Sequence, residues 1–443
     1  MKGKKKSDIF FNMNEKKTEK KSLYYNYIVL YTVTYGAMGG VFPLIGQYLD
    51  DIGFSGTQIG TITGAGTFAA IFATAFWGSV YNRARRKSGV VMLLCAVTAV
   101  IMAVLPSIRL YGLFLLAYAL MYFFQQPVNA LSDAMVMEDG EKFNVIRMWG
   151  AIGYALAVFF AGRLANSFGT SIIFTVAVAG FAISLVFVGL IGRGRGELCA
   201  LRQEANESSG KAEALTTVEA YDESAGEVSL KEASANVDVK PEQEACSKRK
   251  AGGYLELFTN RTYVKILIVA IFVGGTNVAN NTYFSFLFED AGGDLSGLGF
   301  TMLLMVGSEA PFMFLSARLS EKFTLEKMIL FSIIISACRF LWYSTVPSTG
   351  LLTALFFLQG MVNGIILVEF IKYVAKVADS GSLGLAISAY YVVSSSISGI
   401  ICQLLGGVML DLAGGAGVYL LFGSMNVLAA VLYVVFGLHR KGA

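Results

Sequence analysis

Runs of mostly apolar residues, each long enough to cross a bilayer as a helix, recur along the whole chain; about 20 such residues span the hydrocarbon core. Charged or Gly/Pro-bearing gaps divide them into predicted spans near 25–48, 57–80, 89–106, 111–136, 147–167, 171–192, 263–288, 297–317, 327–346, 351–372, 384–410 and 417–438. The composition agrees: 55% of residues are hydrophobic, 15% are charged, and the mean hydropathy is +0.61. No water-soluble domain of this length has that balance. The chain is therefore expected to be an all-α integral membrane protein.

Six predicted spans precede residue 193 and six follow residue 262. Short gaps favour antiparallel neighbours, and the paired halves predict a parallel repeat of two six-helix bundles around a central cavity. The expected organisation is a tail over 1–24, a first half over 25–192, a linker over 193–262, a second half over 263–438 and a short tail over 439–443. Lysine and arginine collect in residues 2–21, at Arg83, Arg85, Arg86 and Lys87, at Arg318, Lys322 and Lys327, and at Arg440 and Lys441. The alternate loops carry Asp50, Asp51, Glu289, Asp290 and Asp294 instead. The positive-inside rule then places both termini and the linker in the cytoplasm of a multi-pass protein of the inner (plasma) membrane. A basic start followed by an apolar run also fits a signal peptide, but that run is a full span with no small-residue cleavage site close behind it. The linker is rich in Glu, Lys, Ala and Ser with few aromatics. It cannot bury enough apolar surface to offset its ordering entropy and is expected to be largely disordered.

Five cysteines, at 95, 199, 246, 338 and 402, form no CxxC pair, and the single histidine, His439, lies in the tail. Neither a disulfide framework nor a metal site is indicated. No phosphate loop or catalytic triad appears, so the chain is expected to be neither a primary pump nor an enzyme. No cofactor and no nucleic-acid partner are expected. The partners are the bilayer, a small-molecule solute and protons, with the protein as a monomer.

Charged and amide side chains inside the spans carry the functional reading. An arginine at the bilayer centre costs about 2.5–3.5 kcal/mol on insertion scales and usually marks function. Arg147 opens the fifth span and Arg339 lies in the ninth. Asn129 and Asp133, four apart, share a face of the fourth span. A carboxylate facing a wet cavity opposite an arginine is tolerable where one facing lipid is not. Tyr154 lies two turns beyond Arg147 and is placed to present a ring to a solute, while Gly150 and Gly153 allow a neighbouring helix to approach closely. Spacing alone leaves a second reading open, in which Arg147 snorkels at the cytoplasmic end.

The run Arg147-Met148-Trp149-Gly150-Ala151-Ile152-Gly153-Tyr154 resembles the fifth-helix signature of the lactose-permease-like branch of the major facilitator superfamily, which includes oligosaccharide:proton symporters and nucleoside and phenylpropionate permeases. Phe42-Pro43-Leu44-Ile45 with Tyr48-Leu49-Asp50-Asp51-Ile52-Gly53, and Phe370-Ile371-Lys372-Tyr373, are similar to that branch too. Gly78 to Lys87 and Ala317 to Lys322 resemble the superfamily's loop motif, although a solvated basic loop explains Arg85 to Lys87 equally well. The resemblance implies a twelve-helix facilitator fold. By position, Arg147 matches the family's sugar-binding arginine, Tyr154 its stacking tryptophan, and Arg339 the arginine that faces its proton-carrying glutamate. The chain departs from the pattern elsewhere: Asn129 stands where the partner glutamate is expected, Val362 where the proton-carrying glutamate is, and Gln359 where its histidine is.

The second half offers Asn277, Asn280 and Asn281 in the seventh span, Glu309 in the eighth, and Gln359, Asn363, Glu369 and Lys372 in the tenth. A carboxyl group without a partner in a low-dielectric site binds a proton near neutrality, as a carrier must. Glu309 is the first candidate, coupled to Arg339, with Asp133 as the next. Asn129, Asp133, Arg147, Tyr154, Asn277, Asn280, Asn281, Gln359 and Asn363 are the expected solute contacts. Glu369 and Lys372 fit an interfacial ion pair better. The expected activity is proton-coupled symport of a small polar solute (a sugar, nucleoside or aromatic acid) by alternating access. The alternatives are an exporter or antiporter of amphipathic compounds and a non-transporting sensor that signals through the linker.

Overall fold

The computed structural model describes residues 2–219, 259–378 and 383–440. Met1–Leu23 with Gly192–Ala251 make up one compact unit, helical where it is described; Tyr24–Ile191 with Gly252–Ala443 make up the other, the membrane bundle. Among the described residues every regular element is helical.

Local sequence sets where the helices start and stop. The first span is α1 (Lys2–Val41) continued by α2 (Ile45–Asp51). Pro43 has no N–H for the helical ladder, and the chain passes the break with a tighter bond from Leu44 N to Val41 O at 3.1 Å. In front of α3 (Gly56–Arg83), Ser55 and Gln58 form a reciprocal cap that satisfies two amides the helix leaves unpaired. The first half continues with α4 (Lys87–Val104), α5 (Tyr111–Glu138), α6 (Phe143–Phe168) and α7 (Ile172–Glu219). In the second half, Asn260 Oδ1 accepts from Thr262 N and Tyr263 N to start α8 (Arg261–Asp290), and Asp294 accepts from Gly297 N at 2.9 Å to start α9 (Leu295–Lys322). Then follow α10 (Leu325–Tyr343), α11 (Thr349–Leu355) with α12 (Phe357–Val377), α13 (Leu383–Tyr391), a π-helical stretch Val392–Ile397 and α14 (Ser398–Val435). The eleventh crossing runs from α13 through the π-helical stretch into α14, and the twelfth fills the rest of α14 beyond non-helical Ala413 and Gly414 at φ +63°, a conformation that penalises a Cβ. The twelve expected crossings are all accounted for.

Two boundaries differ from those read in the sequence. The tenth crossing is divided at Phe356, between α11 and α12. More notably, α7 runs on to Glu219, past the expected linker start at residue 193. Ala, Glu, Leu, Arg and Lys dominate much of that continuation, and these residues have the highest helix propensities. The remainder of the linker, 220–258, lies outside the described residues.

The two halves meet along α3 with α14 and α6 with α9. Small residues make that approach possible. A Cβ on Gly60 would overlap the Gln403 carbonyl oxygen, one on Gly407 the Gly56 carbonyl, and one on Gly162 the Leu295 carbonyl. Polar bonds reinforce the seam at the end of the bundle that carries the 52–55 and 291–294 turns. Asp411 accepts from Gly56 N and Thr57 N, Gln47 donates to Glu289 at 2.7 Å, and Thr63 donates to Gln403 Oε1 at 3.0 Å. Deeper in the second half, Tyr263, Ile333, Phe370, Tyr373, Tyr390 and Tyr433 belong to one apolar core.

Candidate functional site

Close backbone contact between α6 and α1 positions the site in the first half. Any side chain at Gly153 would run into the backbone of Thr32, and one at Gly150 into the ring of Tyr35. This contact sets Arg147 beside the tyrosines of α1. Arg147 Nη1 donates to Asp133 Oδ2 at 2.5 Å, and Tyr31 donates to Asp133 Oδ1 at 2.6 Å. The guanidinium lies over Tyr35 at 5.9 Å and over Phe143 at 5.8 Å. The Arg147 side chain is 50% exposed and that of Asp133 21%. A pair this open contributes only about 0–1 kcal/mol to stability. One turn along α5, Asn129 donates to Met38 Sδ at 3.1 Å, and its Oδ1 is buried without a partner.

Tyr154 stands further along α6 and interacts electrostatically with Glu309 of α9, across the halves. Tyr391 of α13 bears the same relation to Arg147. Both pairs place residues of the two halves near one another. Glu309 is partly buried and, among the described residues, makes no hydrogen bond or ion pair through its carboxylate. Gly360 lets α12 pass close to Ser308 and Glu309.

An amide string joins α8 and α12. Gln359 Nε2 donates to Asn277 Oδ1 at 3.2 Å and to Asn363 Oδ1 at 3.0 Å, which leaves Gln359 Oε1 buried and unpartnered. Asn281, one turn from Asn277, is partly buried. These amides supply both donors and acceptors, the complement of a hydroxyl-bearing solute.

Two expected residues lie elsewhere. Asn280 is fully buried and accepts from Tyr419 of α14 at 2.8 Å, not from the Gln359 string. Arg339 is 3% exposed and lies over the rings of Phe340 and Tyr343, not beside Glu309. Depth explains the separation. At about 1.5 Å per residue, Glu309 is roughly 21 Å into α9 from Leu295, whereas Arg339 is about 6 Å from the end of α10 on the same side. Glu369 and Lys372 form the expected ion pair at 2.9 Å, but Glu369 is fully buried and its Oε2 has no partner.

Sequence reasoning missed Tyr31 and Tyr35. Their signal was present, since Tyr27, Tyr31 and Tyr35 recur every four residues and so share a helix face. Tyr27 donates to Asp139 at 2.6 Å, Tyr31 to Asp133, and Tyr35 stacks on Arg147, so this face of α1 lines up with the charged residues.

A family model described as MFS_1 like family matches residues 24–421. The chain is 25% identical over 421 residues to the maltose permease of Geobacillus stearothermophilus, covering 94% of this chain and 95% of that relative. Over 402 residues it is also 25% identical to the uncharacterized transporter YwbF of Bacillus subtilis (strain 168), covering 90% of this chain and 89% of that one. Among solved structures, the nucleoside transporter NupG superposes with a TM-score of 0.71 at 16% identity, covering 94% of this chain and 99% of the other.

Proposed function

The chain belongs to the MFS_1 like family and is a multi-pass membrane transporter of the major facilitator type, not an enzyme; from that premise we propose that it couples proton entry to uptake of a small hydroxylated solute, a sugar or a nucleoside. The observation that carries this reading is the placement of Glu309. It is a partly buried carboxylate without a counter-charge, near enough to Tyr154 of the opposite half for its charge to act on that ring. Protonation removes the cost of leaving that charge unpaired, and a solute bridging Tyr154 to the amide string closes the halves around it. The two events are then linked free energies, as coupling requires.

Asp133, Arg147 and Tyr154 hold the solute from one side, and Asn277, Gln359 and Asn363 from the other, with Asn129 and Asn281 at the margins. Amides that both donate and accept favour hydroxyls over a carboxylate, which places aromatic acids behind sugars and nucleosides. Both termini are assigned to the cytoplasm on the lysine and arginine distribution. On that assignment the seam at the 52–55 end closes the outer side.

Proteoliposomes with and without an inward proton gradient, supplied in turn with radiolabelled maltose, a nucleoside and an aromatic acid, test the proposal. Concentrative uptake of a sugar or nucleoside that collapses with the gradient is expected. Gradient-independent equilibration would replace symport with passive facilitation, and extrusion driven by the gradient would establish antiport.

A further inference from the structure

Arg339 takes no part in the cavity. It lies in the core of the second half, among α8, α10 and α14, with its guanidinium 4.4 Å from the ring centroid of Phe340 and 5.3 Å from that of Tyr343. Its Nε, Nη1 and Nη2 all lack a hydrogen-bond partner. The Tyr343 hydroxyl lies beside the guanidinium as a marginal hydrogen-bond contact, short of the geometry of a full bond. Among the described residues no carboxylate pairs with Arg339. A guanidinium does not lose its proton inside a protein, so the charge persists.

Further buried polar atoms of α8 and α10 are left unpaired in the same core, and each has an N–H or O–H to donate. Tyr419 donates to Asn280 Oδ1 at 2.8 Å, which uses the amide's acceptor and leaves Asn280 Nδ2, a donor, buried without a partner. The hydroxyl of Ser336, on the same face one turn earlier in α10, is also buried and unpaired. Tyr419 links the two elements, since it lies near Arg339 and donates to Asn280, so one buried positive charge shares this core with an unpaired amide NH₂ and with hydroxyls, and no carboxylate pairs with it among the described residues. Such a set repels a cation. Water would satisfy the hydrogen bonds yet leave the charge uncompensated in a low-dielectric interior. The aromatic faces offset part of the charge, but the N–H bonds lie in the guanidinium plane and still need acceptors.

We propose that the nest formed by Arg339, Asn280, Tyr343 and Ser336 binds a small monovalent inorganic anion of chloride size. The anion ties α8, α10 and α14 together behind the cavity wall that carries Asn277. It binds the folded state, so its presence raises folding stability by mass action.

The test is thermal unfolding of the purified full-length protein in sodium chloride and in sodium gluconate at equal ionic strength. A saturable upward shift of Tm with chloride, reproduced by bromide and absent with gluconate, is expected. Arg339→Met removes the charge and should abolish the shift. Asn280→Asp supplies a fixed carboxylate in place of the anion and should be insensitive to chloride, with a Tm in gluconate near that of the wild type in chloride. It also serves if Arg339→Met fails to fold. Identical wild-type Tm values in the two salts would overturn the proposal in favour of a water-filled nest, as would a chloride shift that persists in Asn280→Asp.

Discussion

Asp411 caps the first turn of α3 at Thr57, a residue 354 positions away in the other half of the molecule: its Oδ2 accepts from Thr57 N at 2.7 Å and from Thr57 Oγ1 at 2.5 Å. The carboxylate also accepts from Gly56 N at 2.5 Å. Negative charge at a helix N-terminus meets unpaired amides and the positive end of the helix dipole together. The contact must break whenever the halves separate at this end.

Loss of such a cap costs about 1 kcal/mol, within a range of about 0.5–2. Asp411→Ala is expected to shift the balance toward opening at the 52–55 end roughly fivefold, since about 1 kcal/mol corresponds to that factor. Alkylation of a single cysteine placed at Asn277, by a reagent confined to that side of the membrane, measures the change. An unaltered alkylation rate means that the glycine seam alone holds the halves closed.

Arg147 is expected to act through its planar fork as well as its charge, because it bonds Asp133 while lying against Tyr35 and Phe143. Arg147→Lys keeps the charge but not the fork and should lower initial uptake at least about tenfold, which corresponds to about 1.4 kcal/mol. Full uptake by the lysine variant would restore the snorkeling explanation. Tyr154→Phe should be milder than Tyr154→Ala if the ring supplies most of the contact.

Glu309→Gln mimics the protonated carboxyl. It should abolish accumulation against a gradient while leaving exchange of solute at equal pH largely intact. Accumulation at the wild-type ratio would eliminate Glu309 as the carrier and make Asp133 the next candidate.

Lys376 bonds Glu326 at 2.5 Å, and the Glu326 side chain is only 3% exposed whereas that of Lys376 is 46% exposed. Removing the partner of a buried carboxylate leaves an uncompensated charge, whereas removing both charges does not. Thermal unfolding should therefore rank Lys376→Met as less stable than the double variant Glu326→Gln with Lys376→Met. The reverse order would show that the pair is screened by solvent.

The sequence by itself determined the twelve crossings, the division into halves and the motifs of the fifth span, and the caps at Ser55, Asn260 and Asp294, which the structure revealed, are local as well. Partition between water and lipid acts on each segment separately, and caps are built from residues within one turn, so both are legible in a linear string. Only the tertiary structure decided which face of each helix meets which neighbour. Asn277 and Asn280 are three residues apart with the same side chain, yet one joins Gln359 and the other Tyr419. Arg339 and Glu309 looked like partners until helix packing set them at different depths and on different sides. The link from Asp411 to Thr57 left no local trace at either position. These outcomes depend on contacts between segments far apart in the chain, where close packing of small residues and the pairing of buried polar groups, rather than the hydropathy of any one segment, select the arrangement.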